Sequence, residues 1–161
     1  MAVSDWVSAA RALTLLIAAN STPWVLGRLL GDHWNAPLDF DFTLRDGRRI
    51  LGSHKTWRGL VGGVLLCAAV AALCGLEWRL GAGFGALSLL GDSLSSALKR
   101  RLNLAAGREV PGVDQLPEAL LPLIVFARPL GLDGVSIIAV TALFAVLDIL
   151  TTRARHYSRA Q

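Results

Sequence analysis

The chain has 161 residues, of which 53% are hydrophobic and only 17% charged, and its mean hydropathy is +0.51. Its apolar residues come in long runs rather than at a strand or helix period. That argues against an ordinary soluble domain and for one compact membrane-embedded domain over residues 1–161. The formal charge of +4 places bases beside apolar spans, so lipid head groups and nucleotide phosphates are the expected polyanions, and no nucleic-acid partner is expected.

The spans fall, in chain order, at residues 6–30, 59–78, 80–98, 116–130 and 135–150. The fold class this predicts is an all-α integral membrane protein, with five transmembrane helices and two long cytoplasmic loops. A β-barrel would show a roughly ten-residue alternation, which is absent. The fourth and fifth spans fall short of the ~20 residues that a ~30 Å hydrocarbon core needs. The first long loop and its flanks hold six bases, the loop after the third span four and the tail three, which makes 13 of the 16 bases. With five spans these lie on one side. The positive-inside rule then predicts a multi-pass protein of the cytoplasmic membrane, with the N-terminus outside and both polar loops and the C-terminus inside. Trp6 and Trp78 are expected at the outer interface and Trp57 at the inner one.

Within the first span, "AANSTPW" carries Asn20 and Pro23. Pro23 frees the Ala19 carbonyl, and Ser21 and Thr22 can repair the kink. A polar interruption inside a membrane is equally a candidate site. In the second span Cys67 and Cys74 read as packing residues, and no CxxC or HExxH spacing points to zinc. The glycines of "GLVGG" and "GAGFG" read as small-residue helix contacts.

The polar chemistry is concentrated in two stretches. The first loop ends "ILGSHKTWRGL", with His54, Lys55 and Arg58 at the start of the second span. A helix start with added positive charge attracts phosphate, and Gly52, Ser53 and Thr56 resemble a phosphate-holding turn. Plain snorkelling of Lys55 and Arg58 is the competing explanation. The second stretch is "GDSLSSALKRRLNLAAGREVPGVDQLPE". On a helix Asp92, Ser96 and Lys99 stand at i, i+4 and i+7 and share a face. An Asp92–Lys99 pair would explain two of these residues. Asp92 and Asp114, on either side of a basic segment, suit a metal–triphosphate, because Mg²⁺ takes few carboxylates plus substrate phosphates.

Five segments together resemble the CDP-archaeol synthase family, relatives of the CDP-diacylglycerol synthases: "AANSTP", "PLDF", "DGRRILGSHKTWRG", "GDSLSSALKRRL" and "PGVDQ". The resemblance covers roughly residues 18 to 118. It implies transfer of cytidylyl from CTP to a phosphorylated membrane lipid with release of pyrophosphate, and it implies Mg²⁺ as cofactor. It implies metal-binding roles for Asp92 and Asp114, and catalytic roles for these two with Lys55 and Lys99. His54, Lys55, Arg58, Ser96, Lys99, Arg100, Gln115 and Asn20 complete the implied nucleotide-contacting set. Two departures stand out. Ala105 and Ala106 replace the Lys-Asp that follows the lysine–arginine pair in the diacylglycerol relatives. Their Asp-Arg-x-Asp run is here Asp114, Gln115, Leu116, Pro117, so Glu118 comes one residue late for the second acid. Ether and ester lipid phosphates both fit the resemblance, as does assembly into a homo-oligomer.

A small transporter or lipid-binding protein is the alternative class. It would favour an inverted repeat and midplane polar residues. The sequence has no repeat and crowds its polar residues toward one surface. The D-G-x-x-A-R helix of CDP-alcohol phosphotransferases is absent.

Overall fold

The computed structural model describes residues 3–44, 47, 49–104, 110 and 112–157. Arg45, Asp46, Arg48, Ala105, Ala106, Arg108, Pro111 and Arg159, which the sequence singles out, lie outside these residues. The described chain is helical: α1 (Val3–Leu30), α2 (Trp57–Leu73), α3 (Trp78–Arg101), α4 (Gln115–Val125), α5 (Ala127–Leu130) and α6 (Gly134–Tyr157). Two isolated antiparallel bridges, Pro37 with Thr56 and Thr43 with Arg49, fold the first long loop into a hairpin. By length and composition, α1 over Asp5–Leu30 and α6 over Gly134–Ala154 are long and apolar enough to cross a membrane.

Helix α1 runs through Pro23 without breaking. Ser21 and Thr22 donate one turn back, to the carbonyls of Ile17 (2.7 Å) and Ala18 (2.6 Å), so their hydroxyls are satisfied inside the helix. The freed Ala19 carbonyl points toward Gly63 of α2. Helix α2 starts at Trp57 because Thr56 caps it, its Oγ1 accepting from the Gly59 N–H. Helix α3 ends on Lys99, Arg100 and Arg101, a favourable sign at a helix C-terminus.

The fourth span, expected as one short helix, is not continuous. It divides at Phe126 into α4, 11 residues long, and the single turn α5. Pro129 explains the break: it has no N–H to donate to the Val125 carbonyl one turn back. At ~1.5 Å per residue α4 is only about 16 Å long, half a hydrocarbon core. Gly131, in the left-handed region (φ 67), ends α5 and turns the chain toward α6.

The core is a narrow seam. Ala12, Leu15, Leu16 and Ala19 of α1 meet Cys67 and Ala71 of α2, Phe84 of α3, Ala119 and Leu123 of α4, and Val140 and Phe144 of α6, all buried. Large apolar side chains such as Leu65, Leu73, Ile124 and Ile138 face outward, as lipid contact requires. Small residues let the backbones approach. A Cβ on Gly81 would collide with the Cys67 carbonyl, and one on Gly85 would stand 2.8 Å from the Cys67 Cβ. Gly91 matters most to the site. A Cβ there would strike the Pro117 carbonyl oxygen and sit 2.8 Å from the Glu118 Cα, so only glycine lets α4 begin against α3 beside Asp92.

Candidate active site

The ends of α1, α3 and α6 and the starts of α2 and α4 come together with residues of both long loops at one end of the bundle. A cavity of about 900 Å³ lies there. Helix α1 supplies Asn20, Trp24, Gly27 and Arg28, and the first loop supplies Asn35, Ser53, His54 and Lys55. Arg58 comes from α2, and Asp92, Ser96 and Lys99 come from α3. The start of α4 adds Asp114, Gln115 and Glu118, and α6 adds Asp148 and Thr152. Every sequence-derived candidate lines this space except Arg100, which lies beside Lys99 at the end of α3, outside the lining.

The ion pairing is not the Asp92–Lys99 pair that a shared helix face would allow. Asp92 pairs with Lys55, which reaches across from the first loop. Lys99 instead pairs with Asp114 at 2.7 Å, and its side chain is 9% exposed. The i, i+7 spacing does put Asp92 and Lys99 on one face. Along ~1.5 Å per residue, however, they are about 10 Å apart, too far for a direct pair, so each finds a partner on a neighbouring segment. The two pairs tie α3 to the first loop and to the start of α4, three parts of the chain that are distant in sequence.

Surrounding contacts fix these groups. Val110 N–H donates to Asp114 Oδ2 at 3.0 Å, closing the turn that leads into α4. Ser95 Oγ donates to the Gly91 carbonyl at 2.9 Å, while Ser96 is buried and turned to the cavity. Gln115 uses both ends of its amide. Its Oε1 accepts from Gly112 N–H at 2.9 Å, and its Nε2 donates to Asp148 Oδ2 at 2.8 Å, so it anchors the loop to α6. Asn20 donates to both oxygens of Glu118, at 3.1 and 3.3 Å. The polar interruption of α1 thus holds a buried carboxylate. Arg58 Nη1 donates to the carbonyls of Gly31 (2.7 Å) and His33 (2.5 Å), pinning the chain where it leaves α1. That pinning role is not one its spacing suggests, and its side chain also borders the cavity.

The first loop is organised around Asp39 of "PLDF". Its side chain is 1% exposed and accepts from Arg49 Nη2 (2.6 Å) and from the N–H groups of Leu51 (3.1 Å) and Gly52 (3.2 Å). Burial raises the Asp39 pKa, but these donors more than reverse it and bring it to about 2. Gly52 adopts φ 114, open to glycine alone, and its N–H serves Asp39 rather than a ligand. This hairpin delivers His54 and Lys55. Burial, then the positive charge of Lys55, lowers the His54 pKa to about 4, so the imidazole is neutral near pH 7.

Three acids were less visible in the sequence. Glu118 is 3% exposed and interacts electrostatically with Asp92, Lys55 and Asp148. Asp148 is the lone acid of α6, and an ionisable residue in an apolar helix is the signal that could have found it. Asp39 stood within a recognised motif but carried no assigned role. Among the described residues no group of three or more His, Cys, Asp or Glu side chains is arranged to hold a metal by itself. Two carboxylates on one polar cavity fit a Mg²⁺ ion that would bring its remaining ligands from substrate phosphates and water.

Comparisons with known proteins bear on the family of the chain. The family model described as CarS-like, CDP-archaeol synthase, matches residues 12–82 and 76–158. A CDP-archaeol synthase of Pyrococcus abyssi is 38% identical over 123 residues, covering 70% of this chain and 69% of the relative. That of Pyrococcus furiosus is 36% identical over 121 residues, covering 69% and 68%. That of Thermofilum pendens is 34% identical over 143 residues, covering 84% and 70%. A solved structure described as an intramembrane enzyme for archaeal membrane lipids biosynthesis superposes with a TM-score of 0.74 at 28% identity, covering 88% of this chain and 90% of that one. The chain therefore belongs to the CDP-archaeol synthase family of membrane-embedded cytidylyltransferases.

Proposed function

We propose that this protein transfers the cytidylyl group of CTP to the phosphate of a membrane lipid, giving a CDP-lipid and pyrophosphate. A lipid phosphate oxygen attacks the α-phosphorus of CTP, and the bond from that phosphorus to the bridging oxygen of the β-phosphate breaks. The attacking group is already anionic near neutral pH, so positioning and charge neutralisation carry the rate rather than a strong base. The observation that supports this most is the pair of Lys–Asp contacts, Lys55–Asp92 and Lys99–Asp114, on one polar cavity at the end of an apolar bundle.

In this reading Asp92 and Asp114 hold Mg²⁺, which when bound would neutralise the triphosphate and stabilise departing pyrophosphate. Lys55 and Lys99 occupy those carboxylates before substrate arrives and turn to phosphate oxygens afterwards, an exchange of partners rather than a burial of new charge. Ser96 and neutral His54 offer hydrogen bonds beside them. Asn20 and Glu118 stiffen the floor, and Gln115 with Asp148 fixes the start of α4. The base asymmetry favours a cytoplasmic cavity, where CTP is available, with α4–α5 completing the fourth of five crossings.

The test is incubation of purified protein with CTP, Mg²⁺ and a panel of ether and ester lipid phosphates, with CDP-lipid identified by mass spectrometry and pyrophosphate measured. Formation of both products in equal amounts is expected. Absence of CDP-lipid across the panel, from protein that still binds CTP, would refute the assignment.

A further inference from the structure

The reaction brings two polyanions together, and the cations of the cavity are unequally committed. Lys55 and Lys99 each hold a carboxylate, and Arg58 Nη1 holds two backbone carbonyls. His54 is neutral near pH 7. Arg28 differs. It lines the cavity from the last turn of α1, and its guanidinium lies over the Trp24 ring at 5.6 Å from the centroid. Among the described residues it makes no hydrogen bond or ion pair. Its N–H donors are therefore open, and the ring one turn back holds the fork in place.

We infer that Arg28, stacked on Trp24, binds the phosphate monoester of the lipid substrate; this rests on the reading of the site as a lipid-phosphate cytidylyltransferase. The carboxylates expected to carry metal and triphosphate, Asp92 and Asp114, belong to α3 and the start of α4, whereas Arg28 is on the α1 wall. A second anion held there would face the triphosphate across the cavity instead of competing with it for Lys55 and Lys99. The surroundings select a lipid over a soluble phosphate. Arg28 is itself exposed, and Val25 and Leu29 beside it on α1 present bare apolar side chains outward. An amphiphile can place its phosphate on Arg28 and run its chains along these residues, leaving no apolar surface in water. Gly27 leaves head-group space at the same level, since a Cβ there would meet only Arg58 Nη2, at 3.9 Å. A planar guanidinium suits a phosphate monoester because two parallel N–H···O bonds fix its orientation as well as its charge.

The test compares wild type, Arg28→Gln and Arg28→Lys in detergent or nanodiscs. Arg28→Gln is expected to raise the KM for lipid phosphate by about ten- to a hundredfold and to leave the KM for CTP unchanged. Arg28→Lys, which keeps charge but loses the fork, should fall between. Equilibrium binding is read separately from tryptophan fluorescence, with Trp24→Phe identifying the reporting ring. A short-chain lipid phosphate should change the signal in wild type but not in Arg28→Gln, and the corresponding lipid alcohol should not change it in either. Unchanged lipid KM and binding in Arg28→Gln, in an enzyme that turns over CTP, would overturn the role of Arg28 and leave the activity standing. If wild type shows no turnover, the activity assignment fails, and the fluorescence titration alone decides whether Arg28 binds a lipid phosphate. Equal displacement by inorganic phosphate would overturn the lipid as the source of the anion.

Discussion

The two ends of the helix bundle use the same kinds of residue to different effect. At one end the turn between α2 and α3 is four residues long, and its Glu77 stands 3.7 Å from Arg79 in the first turn of α3, with side chains 64% and 74% exposed. At the other end Lys55–Asp92 and Lys99–Asp114 are mostly enclosed by the cavity wall. An exposed pair contributes ~0–1 kcal/mol, because water solvates each charge nearly as well as its partner does. An enclosed pair has lost that water, so removing one member strands the other, at a cost of roughly 3–5 kcal/mol for full burial. Charge at the open end is therefore dispensable, and charge at the cavity end is bound up with both folding and chemistry.

The sharpest way to break this contrast is to neutralise the enclosed acids. Asp92→Asn and Asp114→Asn should each reduce turnover by about a hundredfold or more, the scale of losing one aligned electrostatic group. The Mg²⁺ concentration needed for any remaining activity should rise. A purely structural role would lower thermal stability and leave the Mg²⁺ dependence unchanged, so metal titration alongside a detergent melting curve separates the two.

Next in size is Gly91→Ala, which changes no charge. The new methyl would collide with the Pro117 carbonyl and force α4 away from α3. A cost of about 1–3 kcal/mol is expected for overpacking, with a larger loss of activity, since Asp92 and Glu118 lie on the two segments driven apart. Unaltered melting and turnover would show that the two segments can separate without disturbing the cavity.

The hairpin that carries Lys55 gives a pH signature. Asp39 has a folded pKa of about 2 against an ordinary 3.8, so its stabilisation is present above pH 3.8 and is lost as pH falls toward 2. His54, lowered from 6.5 to about 4, acts in the same direction at higher pH. Below 6.5 the unfolded chain binds the proton that the folded chain refuses, so stability declines as pH falls from 6.5 toward 4. His54→Gln should flatten the melting temperature between pH 6.5 and 4, and Asp39→Asn should flatten it below 4. Persistence of the full slope in both variants would place the pH sensitivity elsewhere.

The smallest effect is expected at the open end. Arg79→Ala should alter stability by less than about 0.5 kcal/mol and leave kcat/KM for CTP unchanged, as measured in the same detergent.

Much of the fold was legible because lipid imposes strict rules on sequence. Long apolar runs mark helices, and 13 of 16 bases clustered in two loops and a tail marked one polar end. The break in the fourth span is written in the sequence too, because Pro129 has no N–H for the Val125 carbonyl. Local spacing also set the face shared by Asp92, Ser96 and Lys99. It could not choose partners, because an ion pair depends on which foreign segment comes within reach. Lys55 is 37 residues from Asp92, and Lys99 is 15 from Asp114. Only the packing of α2, α3 and α4 brings these groups together, and that packing turns on Gly91. Asp148 joined the site the same way, through Gln115. Sequence alone determined the chemistry available to this protein, since side-chain types and membrane compatibility are local properties. Tertiary structure decided which charges meet and which, like Arg28, stay open, because distance between remote segments exists only once the helices have packed.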